Sequence, residues 1–175
     1  MTSSTTNGQT EIIVTGFGGQ GIILTGRILG MAASLGDKKE STLVQAYGPE
    51  SRGGACNAQV IISNTPIHYP YVNRPHILVA MSQAGYDKFA ASLAPDSVLL
   101  VDQDLVHPEE AACDHFAIPA TRMAENLGNK MMDNIIMLGF CTAITGAVTN
   151  AAAQAMVRQS VPRGTEDRNI EAFTK

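Results

Sequence analysis

The spacing of apolar positions changes several times along this 175-residue chain, and each change marks an element. Glu11-Ile-Ile-Val-Thr15 is a short β-branched run that stops at Gly16, the pattern of a buried strand. Leu24, Ile28, Met31, Ala32 and Leu35 then recur at i, i+4, i+7, i+8 and i+11, which predicts a helix over residues 20–35 ended by Gly36. Residues 41–46 read as a second strand and 55–63 as a third. In the third, Asn57 and Gln59 alternate with Ala58 and Val60, which predicts one wetter face. Turn signals follow at Asn64-Thr-Pro66 and Tyr69-Pro70, with a short extended stretch around Ile67. Residues 76–81 form another apolar run. Ser82 then stands where a cap would open a helix with Tyr86, Phe89, Ala90 and Leu93 on one face. Residues 97–101, ending at Asp102, and 115–118 complete the strands.

The last third has helical spacing: 121–127 ending at Gly128, 149–161, and 167–173. The run over 133–146 is apolar on nearly every side, which predicts a helix buried in the core or between subunits. Strands alternating with helices predict an α/β fold, a three-layer sandwich on a largely parallel sheet, which the consecutive second and third strands make mixed. Residues 1–10 are polar and read as a disordered tail, leaving 11–175 as a single domain.

Composition narrows the partners. Hydrophobic residues make up 45% of the chain and charged residues 16%, against about 25% charged in an ordinary soluble domain. Twelve Lys and Arg against sixteen Asp and Glu give a net charge of −4, so no broad basic surface exists for a nucleic-acid backbone. No run reaches the roughly 20 apolar residues of a membrane span. The polar start has neither a basic nor an apolar signal region, and a cytoplasmic location is expected. Cys56, Cys113 and Cys141 are scattered without a CxxC pair, which predicts reduced thiols packed as small hydrophobes and no metal or cluster on this chain.

Two glycine-rich turns carry the candidate chemistry. Gly16-Phe-Gly18-Gly19-Gln20-Gly21 satisfies GxGxxG between a strand and a helix, where free amides and the helix dipole favour an anion such as a diphosphate. A nicotinamide or flavin dinucleotide also needs an acidic residue at the end of the second strand, but that strand ends in Gln45-Ala46-Tyr47. Another diphosphate, or a tight turn that only packs helix on sheet, therefore stays open, and nucleotide hydrolysis lacks its GK[ST] signature. Tyr47-Gly-Pro-Glu-Ser-Arg52-Gly53-Gly54 should leave the second strand at the same sheet edge, offering the Arg52 guanidinium to a phosphate or carboxylate. Ser82 and Gln83 follow the run over 76–81, read as a parallel strand, and are candidates to line the same crevice. His68, His76, His107 and His115 are isolated, Asp102 and Asp104 suit a turn better than an acid/base pair, and Glu109-Glu110 after Pro108 suits the first turn of a helix.

Taken together, GFGGQGIILTGRIL, QAYGPESRGGACNAQVIIS, IHYPYV, VAMSQAGYDKF and IPATRMAENLGNKMMDNIIMLG resemble the gamma subunit of the 2-oxoacid:ferredoxin oxidoreductases over most of the chain. YGPESRGGA with IHYPYV is most like the 2-oxoglutarate enzymes, with the branched-chain 2-oxoacid and pyruvate enzymes as alternatives. The resemblance implies a heteromeric enzyme that turns a 2-oxoacid, coenzyme A and oxidised ferredoxin into acyl-CoA, carbon dioxide and reduced ferredoxin. It implies thiamine diphosphate, magnesium and iron–sulfur clusters on partner alpha, beta and ferredoxin-like delta subunits. It carries a share of the coenzyme A site onto Gly16, Gly18, Gly19, Gln20 and Gly21, with Arg52, Gly53 and Gly54 as a second wall and no catalytic residue here. Relatives often have an acidic residue where this chain has His76. The reading from another class is an independent dinucleotide-binding regulatory module.

Overall fold

The computed structural model describes residues 8–47, 55–109 and 113–175. Six strands form one sheet: β1 (Gln9–Phe17), β2 (Glu40–Tyr47), β3 (Ala55–Ser63), β4 (Ile77–Ala80), β5 (Val98–Asp102) and β6 (Asp114–Ile118). Their order is β2-β3-β1-β4-β5-β6. β1, β4, β5 and β6 pair in parallel, while β3 runs antiparallel to both β1 and β2. The sheet is thus mixed and largely parallel on one side of β1, as expected. β1 sits in the middle because Ile12, Ile13 and Val14 are apolar on both faces, and all three are buried.

Helices cover both faces. One face carries α1 (Ile22–Met31), α3 (Ala120–Asn126), α4 (Asp133–Thr145), α5 (Asn150–Ser160) and α6 (Glu166–Phe173). Its core joins Ile12, Val14, Ile28 and Leu29 to Ile135, Met137, Leu138 and Val157. The opposite face is thinner: α2 (Gln83–Phe89) lays Tyr86 over Ile13, Leu78, Leu99 and Val101. The apolar run after residue 132 is α4, in which every residue from Asp133 to Gly139 is buried. A side chain at Gly139 would run into the Phe173 carbonyl, so the missing side chain is what lets α6 lie directly on α4.

Several expectations need correction. The predicted tail overlaps β1, because Gln9 and Thr10 pair with Ser63 and Ile62; cross-strand bonding carries the strand past its apolar run. Residues 1–7 lie outside the described residues. The first helix does not run regularly to Leu35. It passes into a π turn over Ala32–Gly36, where Asp37 N–H donates to the Ala32 carbonyl at 2.9 Å, and the extra residue rotates Leu35 out to 55% exposure. The face of β3 expected to be wet is covered by the following loop. Val72 N–H donates to Gln59 Oε1 at 3.0 Å, Gln59 Nε2 donates to Asn57 Oδ1 at 3.3 Å, and Asn57 is buried. No strand forms at Ile67, and Glu109 is not helical, whereas 110–112 lie outside the described residues.

Candidate functional site

The carboxyl ends of the parallel strands bring the glycine loop, the Met81–Gln83 segment, the turn after β5 and the start of α3 to one sheet edge, the usual ligand side of such sheets. The second glycine turn has its flanks there too: Phe17 pairs with Ala55 and Tyr47 pairs with Cys56, so β2 and β3 open toward the glycine loop. Arg52, Gly53 and Gly54 themselves lie outside the described residues.

The loop is built by its own side chain. Gln20 Oε1 accepts the Phe17 N–H at 2.7 Å, and Gln20 Nε2 donates to the Met81 carbonyl at 3.1 Å, tying the loop to the end of β4. Gln20 is therefore a brace. Gly16 is buried at the end of β1, while Gly18 and Gly19 are exposed and leave the backbone open to a ligand. Gly21 caps α1 with φ 71°, a left-handed conformation in which any side chain would also strike Asn134. Asn134 Nδ2 donates to the Gly21 carbonyl at 3.3 Å, so α4 holds the loop from behind. No side chain caps α1, and its first amides and dipole face the loop.

Ser82 and Gln83 are placed differently from a ligand-lining pair. The Ser82 hydroxyl is buried and accepts the Gly85 N–H at 3.1 Å, which makes it the cap of α2. Gln83 Oε1 accepts the His107 N–H at 2.8 Å while its Nε2 donates to Asp87 at 2.8 Å, bracing the turn after β5. Asp102 is buried and accepts from both Thr121 N–H (2.8 Å) and Thr121 Oγ1 (2.6 Å), and Asp104 pairs with Arg122 at 3.0 Å. Both are committed to structure. His76 lies at the opposite edge, where its Nδ1 accepts the Glu11 N–H at 3.0 Å, a task an acidic side chain would also perform.

Beside the loop opens a cleft of about 290 Å³ lined by Phe17, Gly19, Gln20, Leu105, Thr121, Lys130, Met131 and Asp133. Lys130, Thr121 and Asp133 escaped the sequence reading as site residues. The available signal was that Asp133 is the one charge in the run over 133–146. Asp133 is only 4% exposed, and burial pushes its carboxyl up to about 6. Neighbouring Asp102 adds to that rise, while the Asn134 N–H and Lys130 oppose it. Burial also pushes up the thiols of Cys56 and Cys113, and that of Cys141 to about 12, as suits packed, unreactive sulfur. Among the described residues no three His, Cys, Asp or Glu side chains converge as metal ligands, and no helix is long and apolar enough to cross a membrane.

A sequence model of the pyruvate ferredoxin/flavodoxin oxidoreductase family matches residues 11–175. The 2-oxoglutarate synthase subunit KorC of Methanocaldococcus jannaschii is 46% identical over 169 residues, 94% of this chain and 90% of that one. The gamma subunit of a keto/oxoacid ferredoxin oxidoreductase from Geobacter sulfurreducens PCA has the same fold at a TM-score of 0.83 and 37% identity, with 94% of each chain covered. A 2-oxoglutarate:ferredoxin oxidoreductase from Magnetococcus marinus, with 2-oxoglutarate, coenzyme A and succinyl-CoA bound, shares the fold at a TM-score of 0.85 and 19% identity. That match covers 96% of this chain and 30% of the longer one.

Proposed function

Because the chain belongs to the pyruvate ferredoxin/flavodoxin oxidoreductase family, we propose that it is the gamma subunit of a 2-oxoglutarate:ferredoxin oxidoreductase and contributes to that enzyme's coenzyme A site. The observation that carries the reading is the nearly end-to-end similarity to a 2-oxoglutarate synthase subunit. The partners are alpha, beta and ferredoxin-like delta subunits in the cytoplasm, and thiamine diphosphate, magnesium and the iron–sulfur clusters reside on them. Residues 11–175, with Gln9 and Thr10 added from β1, form one gamma domain.

The work of this chain is binding and orientation. The open backbone at Gly18 and Gly19, the unblocked start of α1 and the Lys130 ammonium together favour the diphosphate of coenzyme A. Gln20 and Asn134 fix the loop before the ligand arrives, so little ordering cost falls on binding. Arg52, Gly53 and Gly54, which lie outside the described residues, are assigned to the same coenzyme A site by the resemblance alone. Holding the phosphates at this edge sets the reach of the thiol end, which reacts on a partner subunit.

The test is to isolate the native complex through this chain and measure acyl-CoA formation from several 2-oxoacids. Copurification with thiamine- and cluster-bearing chains and preference for 2-oxoglutarate are expected. Preference for pyruvate or a branched-chain 2-oxoacid would move the chain to a sibling enzyme. A lone chain that binds NAD or NADP tightly and recruits no partner would make it a regulatory module instead.

A further inference from the structure

The glycine loop lacks the acidic residue that a dinucleotide fingerprint places at the end of the second strand, yet the cleft beside the loop contains a carboxyl from far along the chain. Asp133 opens α4 and lines the cleft together with Gly19, Gln20, Thr121 and Lys130. It is 96% buried by the complement of its 4% exposure. One of its oxygens, Oδ1, accepts the N–H of Asn134 at 2.8 Å. Its own backbone N–H also bonds the carboxyl, no other described residue donates to the second oxygen, and the side chain lines the cleft. Nearby Asp102 offers no alternative, because its oxygens take Thr121 and the Asp104 N–H.

Water meets an oxygen at the cleft surface, and a ligand that displaces that water without supplying a donor loses affinity. Lys130 supplies charge nearby, but its side chain is 69% exposed and turns toward Glu125 at 3.6 Å. A hydroxyl or N–H on the ligand is the donor that takes that water's place. We propose that Asp133 is a ligand-positioning residue of the glycine-loop cleft, accepting a hydrogen bond from a hydroxyl or N–H next to the phosphates of a nucleoside diphosphate. It does from α4 what the missing acidic residue does from the second strand in dinucleotide-binding folds, where that residue holds a ribose hydroxyl. The inference rests on the reading that the loop holds the diphosphate of coenzyme A. It adds that the site recognises the nucleoside as well as the charge.

Asp133→Asn discriminates. The side-chain oxygen that meets Asn134 is retained, while the cleft-facing atom changes from an acceptor to an NH2 donor. The probes are ADP, which carries hydroxyls and an amine beside its phosphates, and inorganic pyrophosphate, which carries neither. Binding is measured by calorimetry on the assembled complex at pH 7.5, for the parent and for Asp133→Asn. The variant should bind ADP roughly tenfold or more weakly, as for a lost hydrogen bond to a charged group. Its pyrophosphate affinity should hold or rise, because a negative charge has left the cleft. Equal losses for both probes would assign Asp133 a merely structural role, and unchanged ADP affinity would show that its oxygen meets no ligand; either overturns the inference while leaving the loop's function intact. A parent complex that binds neither probe overturns the diphosphate reading itself, and the inference with it.

Discussion

The glycine-loop cleft and the groove between α4 and α6 each enclose about 290 Å³, and both are walled by α4, yet they are built on opposite principles. The cleft uses the first turn of α4: Asp133 faces it, and Asn134 holds the loop behind it. The groove uses the middle of the helix, where Ile136, Gly139, Phe140 and Ala143 meet Ile118, Met123 and Phe173. Asn150, Thr174 and Lys175 edge the groove, and the close crossing at Gly139 marks its floor as a seam of packing. In the cleft, the exposed backbone at Gly19 and the Lys130 ammonium stand beside the buried Asp133 carboxyl. Size is the same in the two; what α4 contributes tells them apart, a carboxyl to the cleft and Ile136, Phe140 and Ala143 to the groove.

The largest effect that separates them is expected from Gly139→Ala. A methyl group there meets the backbone of Phe173, which cannot yield unless α6 lifts from α4. Stability should fall by about 2–3 kcal/mol, as in overpacked cores. The midpoint of thermal unfolding should drop by roughly 5–10 °C for a chain of this size. Below the transition, pyrophosphate binding at the glycine loop should be unaltered. An unchanged midpoint would mean that the crossing at Gly139 does not hold the C-terminal helix.

Asp133→Asn comes next, now read through stability. The folded carboxyl titrates at about 6, above its ordinary 3.8, so the native state binds this proton more tightly than the unfolded state does. Stability therefore declines as pH rises from about 4 to 6, and the full cost stands above 6. Removing the charge should make Asp133→Asn more stable than the parent at pH 7.5, on the order of 2 kcal/mol. The gap should close by pH 4, where both side chains are neutral. Chemical denaturation at several pH values measures it, and a gap independent of pH would show that folding does not desolvate the Asp133 carboxyl. A stabilised variant that binds ADP less well would be a residue kept for binding at the expense of stability.

The fold was legible in the sequence wherever local pattern and tertiary pairing agree. β3 occupies the predicted residues 55–63, and Ser82 caps α2 as its position suggests. Legibility failed where a distant partner decides. Gln9 and Thr10 become strand through Ser63 and Ile62, and Leu35 leaves its stripe because a π turn intervenes. Asn57 is buried because the loop carrying Val72 folds over it. The site divides in the same way. The glycine loop follows from its own residues, but Gln20 and Ser82 turn inward to brace backbone, which residue type alone does not reveal. Asp133 joins the cleft only because α4 packs behind Gly21, a contact spanning 113 positions.

The smallest effect sharpens the comparison within the cleft itself. Lys130 is 69% exposed, so its attraction for a ligand is screened by water and salt, and Lys130→Met should change stability by no more than about 0.5 kcal/mol. At low ionic strength it should weaken ADP and pyrophosphate alike, by about threefold, because a point charge reads phosphate and nothing else. Raising salt toward about 0.5 M should erase the difference. Asp133→Asn should instead discriminate between the two probes and keep doing so in salt, since a buried hydrogen bond is poorly screened. Titrations of both variants with both probes at two salt concentrations give four ratios. If Lys130→Met also separated ADP from pyrophosphate, the division of the cleft into a solvent-facing charge and a buried nucleoside contact would be wrong.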